Sequence, residues 1–343
     1  MRVDTGPPAH STAILTVTHD MSIGPTLAHD AEQIARPTVA ADIAALRVTL
    51  VGYGEVGRIF GAALAAAGVA SVTAFDILVA DASWMAAARA RAAQDGVALA
   101  SEIRTAVAQG LLVISAVTAA STTTAAQQIA AASQRGAFVL DVNSASPHTK
   151  TTCAEAVERA GGRYVEAAVM SSVPPHGIRV PMLLGGPHAS ALQPTLAALG
   201  FDATVGSASY GVVSAIKLCR SVVIKGMEAL AIESLLAARR YGVEREVLAS
   251  LAETFPGLDW ERQATWFWRR VVQHGRRRAE EMREAAATVE GVGISSRMAA
   301  ATAEVQAWVA ALRAEGAFDA AAADADWRDL ADRIGREPGD AKA

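Results

Sequence analysis

Residues 52–57 read Gly-Tyr-Gly-Glu-Val-Gly, the GxGxxG spacing, set between an apolar run at 46–51 and an alanine-rich run at 55–67 that Gly68 stops. A strand, a tight glycine turn and a helix are what a pyrophosphate needs. Gly52 permits the turn, Gly54 lets the backbone approach the phosphates, and Gly57 lets helix and strand pack closely. The helix N-terminus, from Glu55 and Val56 onward, adds free N–H groups and positive potential, and the backbone of Tyr53 belongs to the same cradle. Asp76 ends the next apolar run, 71–75, and lies 19 residues after Gly57. A carboxylate there bonds a ribose 2′-hydroxyl and repels a 2′-phosphate, so NAD is expected and NADP is the alternative. An isolated GxGxxG arises in ordinary strand–turn–helix units; the flanking runs and Asp76 give this one its meaning.

The second chemical signal is lysine usage. Lys150, Lys217, Lys225 and Lys342 are the only lysines, against 27 arginines. Where either cation serves, this chain uses arginine, so a lysine in an apolar segment suggests a group that must give up a proton. Lys217 lies in such a segment. Lost hydration lowers an amine toward neutrality, and it can then take or return the proton of a substrate hydroxyl. An amine paired with Glu228 or Glu233, or snorkelling to the surface, is the competing reading. Val213, Arg220, Ser221 and Ile224 share the face of Lys217, whereas Lys225 is turned about 80° from it and is a candidate either for contacting substrate or for supporting the residues that do. Cys219 points away and reads as core.

Several positions follow strands that must end near the cradle. Val117 and Thr118 come after the run at 111–115 and are expected to line the nicotinamide side. Asn143 and Ser144 follow the strand at 137–140, where ligands of doubly wound sheets collect. Ser171 and Ser172 are candidates for orienting substrate. Plain turn chemistry would also explain Ser and Asn at these places. Arg276, Arg277 and Arg278 follow Arg269-Arg270 and include i,i+4 pairs with Glu280 and Glu281, so a solvated charged helix is favoured over an anion site. Trp260, Trp266 and Trp268 around Phe267 read as core or interface, and His274 as an ordinary helical histidine. The histidines show no HxxxH or HExxH, and Cys153 and Cys219 make no CxxC. No metal site or disulfide framework is therefore expected, and a reducing cytoplasm fits.

These residues need elements to position them. Apolar residues make up 52% of the chain, and much of that is alanine, which favours helix. Residues 1–45 have no sustained period and read as a flexible extension. From 46 to 206, strand-like and helix-like runs alternate, which implies a parallel sheet covered by helices on both faces. Past 206 strands cease. The run 210–240 reads as one helix of about 45 Å, apolar nearly all round and therefore buried between domains or subunits. The helical region extends to 318, and 319–343 reads as a fraying tail. The fold class is α/β, a Rossmann-type doubly wound sheet followed by an all-α domain. The uncharged stretch 59–75 parses as helix plus strand rather than as a membrane span. A net charge of −4 offers nothing to nucleic acid or an anionic membrane.

Four stretches, in order, resemble the β-hydroxyacid dehydrogenases, the group of 3-hydroxyisobutyrate and 6-phosphogluconate dehydrogenases. They are the glycine motif in 48–60; Asp141-Val142-Asn143-Ser144-Ala145-Ser146-Pro147 in place of DxSTxxP; Glu166-Ala167-Ala168-Val169-Met170-Ser171-Ser172 in place of DAPVSGG; and 211–221, with Lys217 on the lysine of GxGxxxKxxxN. Beyond about 240 the chain is similar to a subgroup whose C-terminal domain is of unknown function. The resemblance implies an NAD(P)-dependent dehydrogenase of a small polar, acidic hydroxy or keto substrate. It also implies Lys217 as general acid/base and a homodimer. Met170, Ser171-Ser172, Ser221 and Asn143 depart from the pattern, so the usual carboxylate anchor is altered. Imine reduction, or non-catalytic dinucleotide sensing on the same fold, are the alternatives.

Overall fold

The computed structural model describes residues 43–335. The expected N-terminal extension lies outside them, apart from a single turn at Ile43–Ala45. The elements alternate: β1 (Arg47–Val51), α1 (Glu55–Ala66), β2 (Ser71–Phe75), α2 (Ala82–Gln94), β3 (Ala98–Leu99), α3 (Ile103–Val107), β4 (Leu112–Ser115), α4 (Thr122–Ala132), β5 (Phe138–Asp141), α5 (Pro147–Arg159) and β6 (Arg163–Val169). The short α6 (Val173–His176), β7 (Met182–Gly185), α7 (Ala189–Ala198) and β8 (Ala203–Ser207) complete the sheet region. Then come α8 (Val212–Tyr241), α9 (Glu244–Thr254), α10 (Trp260–Glu290), α11 (Arg297–Ala314) and α12 (Trp327–Ala331).

The strands form one sheet in the order β3-β2-β1-β4-β5-β6-β7-β8. This is a Rossmann-type order in which β1 sits between β2 and β4. β1, β4 and β5 are nearly all buried, as central parallel strands covered on both faces must be. Phe60 and Leu64 of α1 fill one side of the sheet, and Ile129 of α4 with Cys153 and Val157 of α5 fill the other. The expectation of an all-parallel sheet needs correction: β7 runs antiparallel to β6. β8 escapes a sequence reading because this edge strand is mostly exposed and contains Gly206, so it shows neither alternation nor an apolar run.

α8 has the length expected and ends on Gly242 in the left-handed conformation, after Arg239 and Arg240 in its last turn. It is not buried all round. Ile216, Val223 and Leu230 are about half exposed, at 45%, 62% and 54%, and Cys219 is exposed rather than core. The opposite side packs on α10 and α11 through Leu218, Met282, Ala285 and Ala299. Farther along, Ile232, Leu235 and Trp268 join a second cluster that also takes in Trp327, Leu330 and Ile334. The stretch from 319 is therefore no loose tail as far as Ile334, because the indole of Trp327 anchors it in this core. Trp268 and Phe267 are core as expected, while Trp266 is largely exposed.

Inside the helical layer, Glu228 of α8 is wholly buried and ion-paired with the buried Arg278 of α10. Arg270 lies 3.6 Å from its other oxygen. Arg278 is thus no part of a solvated charged face. Removing one member of a buried pair strands the other charge, so Glu228→Ala should cost about 3–5 kcal/mol of unfolding free energy. Denaturant titration checks this, and Glu228→Leu combined with Arg278→Leu should recover most of the loss.

Candidate active site

The cradle is built as its spacing requires. Gly52 has φ +100, and a Cβ there would lie 2.3 Å from the Ala116 carbonyl oxygen. A Cβ on Gly57 would lie 2.1 Å from the Gly52 oxygen. Gly54, by contrast, faces open space within 4 Å of where its Cβ would stand, and no side chain caps the first turn of α1. Open room beside uncapped N–H groups is the shape a pyrophosphate fills, so the residues fit a dinucleotide. Asp76 closes the cradle from the end of β2: its carboxylate accepts from the Tyr53 N–H at 2.7 Å and the Leu78 N–H at 3.0 Å. Those bonds leave lone pairs free for a ribose hydroxyl. The ring of Tyr53 takes no part. It is buried in the core and its hydroxyl donates to Asp95 at 3.1 Å, so only its backbone serves the cradle. Val56 packs against the core, and Glu55 is exposed at the mouth.

Asn143 braces the ends of two strands. It is buried, its Oδ1 accepts from the Val117 N–H at 2.7 Å, and its Nδ2 donates to Ser115 Oγ at 2.9 Å. It thereby ties the ends of β4 and β5 together and sets Val117 beside Gly52, whose built Cβ would sit 3.2 Å from the Val117 methyl. Thr118 is exposed and shares a 3.3 Å contact with Ser121. Behind Asn143, Asp141 is buried between Lys150 Nζ at 2.9 Å and the Tyr164 hydroxyl at 2.5 Å.

Ser144 meets the amine. Lys217 Nζ donates to Ser144 Oγ at 2.7 Å, and among the described residues Lys217 makes no ion pair. The competing expectation, a pair with Glu228 or Glu233, does not hold: Glu228 is committed to Arg278. Burial pushes the Lys217 ammonium down to about 8; Glu281 opposes the shift, and Lys150, Lys225 and Arg277 add to it. Lys225 differs. It is buried and paired with Glu281 of α10, so it neutralises that carboxylate instead of facing the cleft freely. Burial alone would raise Glu281, but Lys225, Arg277 and Lys217 hold it at about 2. Ser221 is buried one turn beyond Lys217. Ser171 and Ser172 are exposed, and Ser171 is 3.3 Å from His176 Nε2 rather than bonded to Lys217 or Ser144.

Two carboxylates hold this geometry, and the sequence singled out neither. Glu166, fully buried on β6, accepts from the Gly211 N–H at 2.9 Å and Ser214 Oγ at 3.1 Å, pinning the first turn of α8 to the sheet. Burial raises its pKa. Glu284 of α10 accepts from the Ser146 N–H at 2.6 Å and Thr149 Oγ1 at 3.2 Å, at the positive end of α5. Glu166 was visible only as the first residue of a motif-like stretch. Glu284 had no local signal, since its partner is 138 residues away.

Residues 47–205 match the NAD binding domain of 6-phosphogluconate dehydrogenase, and residues 238–309 match a domain of unknown function, DUF1932. A conserved hypothetical protein from Sinorhizobium meliloti is 34% identical over 87% of this chain and 99% of its own, with a TM-score of 0.66. The chain belongs to the 6-phosphogluconate dehydrogenase-like family. A second solved protein, of unknown function and structurally similar to 3-hydroxyacid dehydrogenases, is 30% identical over 79% of this chain and 99% of its own, with a TM-score of 0.60. Mycobacterium tuberculosis 3-hydroxyisobutyrate dehydrogenase, solved with L-serine, shares the fold at 18% identity, covering 85% of this chain and 99% of its own, with a TM-score of 0.61. No curated protein matches in sequence. The family fold is that of a hydroxyacid-dehydrogenase-like, NAD(P)-binding oxidoreductase. No helix among the described residues is long and apolar enough to cross a membrane.

Because a methyl group on Gly57 collides with the Gly52 carbonyl, Gly57→Ala should weaken NADH binding at least about tenfold, or about 1.4 kcal/mol. Fluorescence titration of NADH checks this; an unchanged affinity would remove the cradle as the binding site.

Proposed function

We propose that the protein is an NAD-dependent oxidoreductase acting on a carbon that bears a hydroxyl in a small, acidic substrate, with Lys217 as general acid/base. The observation that carries this reading is an unpaired amine, drawn below its ordinary range by burial and held 2.7 Å from Ser144 Oγ. Ser144 adjoins Asn143, Asn143 holds Val117, and Val117 lies against Gly52, so the amine stands at the mouth of the cradle. A nicotinamide held by the cradle would supply the hydride acceptor for oxidation of the carbinol carbon and the hydride donor for reduction of the carbonyl. In oxidation the neutral amine of Lys217 accepts the hydroxyl proton and becomes ammonium; in reduction the ammonium gives that proton back. Ser144 orients the amine through its hydroxyl. Ser221, and Ser171 with Ser172 on the sheet side, are assigned to substrate contact, and Val117 and Thr118 to the nicotinamide side.

NAD is favoured over NADP. Asp76 stands where a 2′-phosphate would go, residues 77–81 supply no cation and end in Asp81, and Arg58 faces Asp95 at 3.8 Å. The cysteines are free, in keeping with a reducing cytoplasm. Ile216, Val223 and Leu230 leave an apolar face along α8 with seven-residue spacing, and we assign it to a homodimer.

Lys217→Met should bind NADH normally and lose roughly 10²- to 10⁴-fold in kcat across a panel of small hydroxy acids. Unchanged turnover would take the lysine out of the mechanism. The pH dependence has a definite sign. The neutral amine accumulates as pH rises through about 8, so kcat/KM for oxidation should climb there, and kcat/KM for reduction should fall. The groups facing the amine are Glu281 and Arg277 from α10, Lys225 on its own helix and Lys150 from α5. NADH should raise the melting temperature more than NADPH does; the reverse order would overturn the role given to Asp76. Val223→Asp with Leu230→Asp should convert a dimer to a monomer by light scattering, and a dimeric mass in that variant would refute the interface.

A further inference from the structure

The arginine run on α10 is not uniform. Arg278 is buried on Glu228, and Arg276 is exposed on another face of the helix. Arg277 is different again. It shares one side of α10 with His274, Glu281 and Glu284, a 3-4-3 spacing that keeps all four in line. The two ends of that line are placed. Glu284 is bonded to Ser146 at the start of α5, and the charge of Glu55 at the mouth of the cradle reaches His274. α10 also packs on the Ala119–Ser121 turn that follows Thr118. The stretch between therefore spans the cleft that holds Lys217.

Lys217, Lys225 and Arg277 all lie close enough to Glu281 for their charges to act on it. Glu281 gives one oxygen to Lys225 and the other to Arg277 Nη1 at 3.3 Å. That is a single, off-optimum contact, and the Arg277 side chain stays 54% exposed. Most donors of a planar, five-donor guanidinium are free, in a form that matches a carboxylate or a phosphate with two parallel bonds.

We propose that Arg277 is the substrate-anchoring residue of this site: it binds the oxyanion group, carboxylate or phosphate, of the hydroxy or keto substrate and so presents the neighbouring hydroxyl to Lys217. This rests on the assignment of Lys217 and the cradle to one active site. It makes substrate specificity a property of α10 rather than of the serines after β6.

The test uses the full-length protein saturated with NADH and measures binding of malonate, inorganic phosphate and the neutral malonamide by calorimetry. Malonate, phosphate or both should bind, and malonamide should not. Preference between the two anions tells carboxylate from phosphate. Arg277→Gln should weaken anion binding roughly 10- to 100-fold, the loss expected for hydrogen bonds to a charged group. Arg277→Lys should keep part of it, and Arg276→Gln should keep all of it. NADH affinity should stay the same in all three variants. Undiminished anion binding in Arg277→Gln overturns the proposal, as does a loss of NADH affinity in its place, which would move Arg277 to the dinucleotide phosphates. Failure of the lysine mechanism would instead appear as unchanged turnover in Lys217→Met with anion binding intact, so the two ideas fail separately.

Discussion

A part-buried amine without an ion-pair partner is the constraint on which the rest of this structure depends. Desolvation disfavours its charged form, and the neighbouring cations add to that, while Glu281 limits the shift. The result is a group poised near neutrality, the condition in which a base and its conjugate acid are both available. Such a group relaxes if it can. A longer reach to solvent, or a carboxylate that swings in, would restore an ordinary ammonium. The chain opposes this by fixing the groups around the amine. Glu166 clamps the start of α8, Ser144 takes the proton-donor bond, and Glu281 is already engaged by Lys225 and Arg277.

The three described lysines make the point by comparison. Lys150 is buried and paired with Asp141; Lys225 is buried and paired with Glu281; Lys217 has a neutral hydroxyl as its partner. Buried ion pairs are weak contributors to net stability but costly to break, which suits residues that must hold a shape. Lys150 and Lys225 are such residues. Lys225 satisfies Glu281, the carboxylate that acts on Lys217, so the placement of Lys225 and the state of Lys217 are one electrostatic arrangement.

What could be read from residues alone follows how local each feature is. The cradle was legible because its strand, turn and helix are consecutive, and the clash distances at Gly52 and Gly57 supply the reason the glycines are needed. α8 was legible in both its length and its stop at Gly242. The family followed from motif order. Side-chain direction was not legible: Tyr53 sits inside the motif yet turns its ring into the core, and Asn143 spends its amide on Ser115 and Val117. Both outcomes depend on what lies across the sheet. The apolar girth of α8 suggested complete burial, but helix periodicity cannot say how many neighbours arrive, and Val223 and Leu230 remain outside. Glu281 appeared only as an i,i+4 partner of Arg277. Its pairing with Lys225, 56 residues away, exists because α8 and α10 pack, and no local spacing encodes that.

The segment from Asp141 to Lys150 shows how the two parts of the chain are tied together. Within it, Asp141 and Lys150 form a buried pair at the C-terminal end of β5, Asn143 fixes the loop after β4, Ser144 holds Lys217 on α8, and Ser146 with Thr149 receives Glu284 from α10. A single short stretch thus touches the dinucleotide loop, the amine and both long helices. Its own position is set by the rigid end of β5 and by the first turn of α5, where Pro147 needs no N–H partner and Ser146 caps the helix. A shift of α10 relative to the sheet would pull on Ser146 and, two residues away, alter the contact between Ser144 and Lys217. The contact between Ser144 and Lys217 is therefore coupled to the seating of the helical layer.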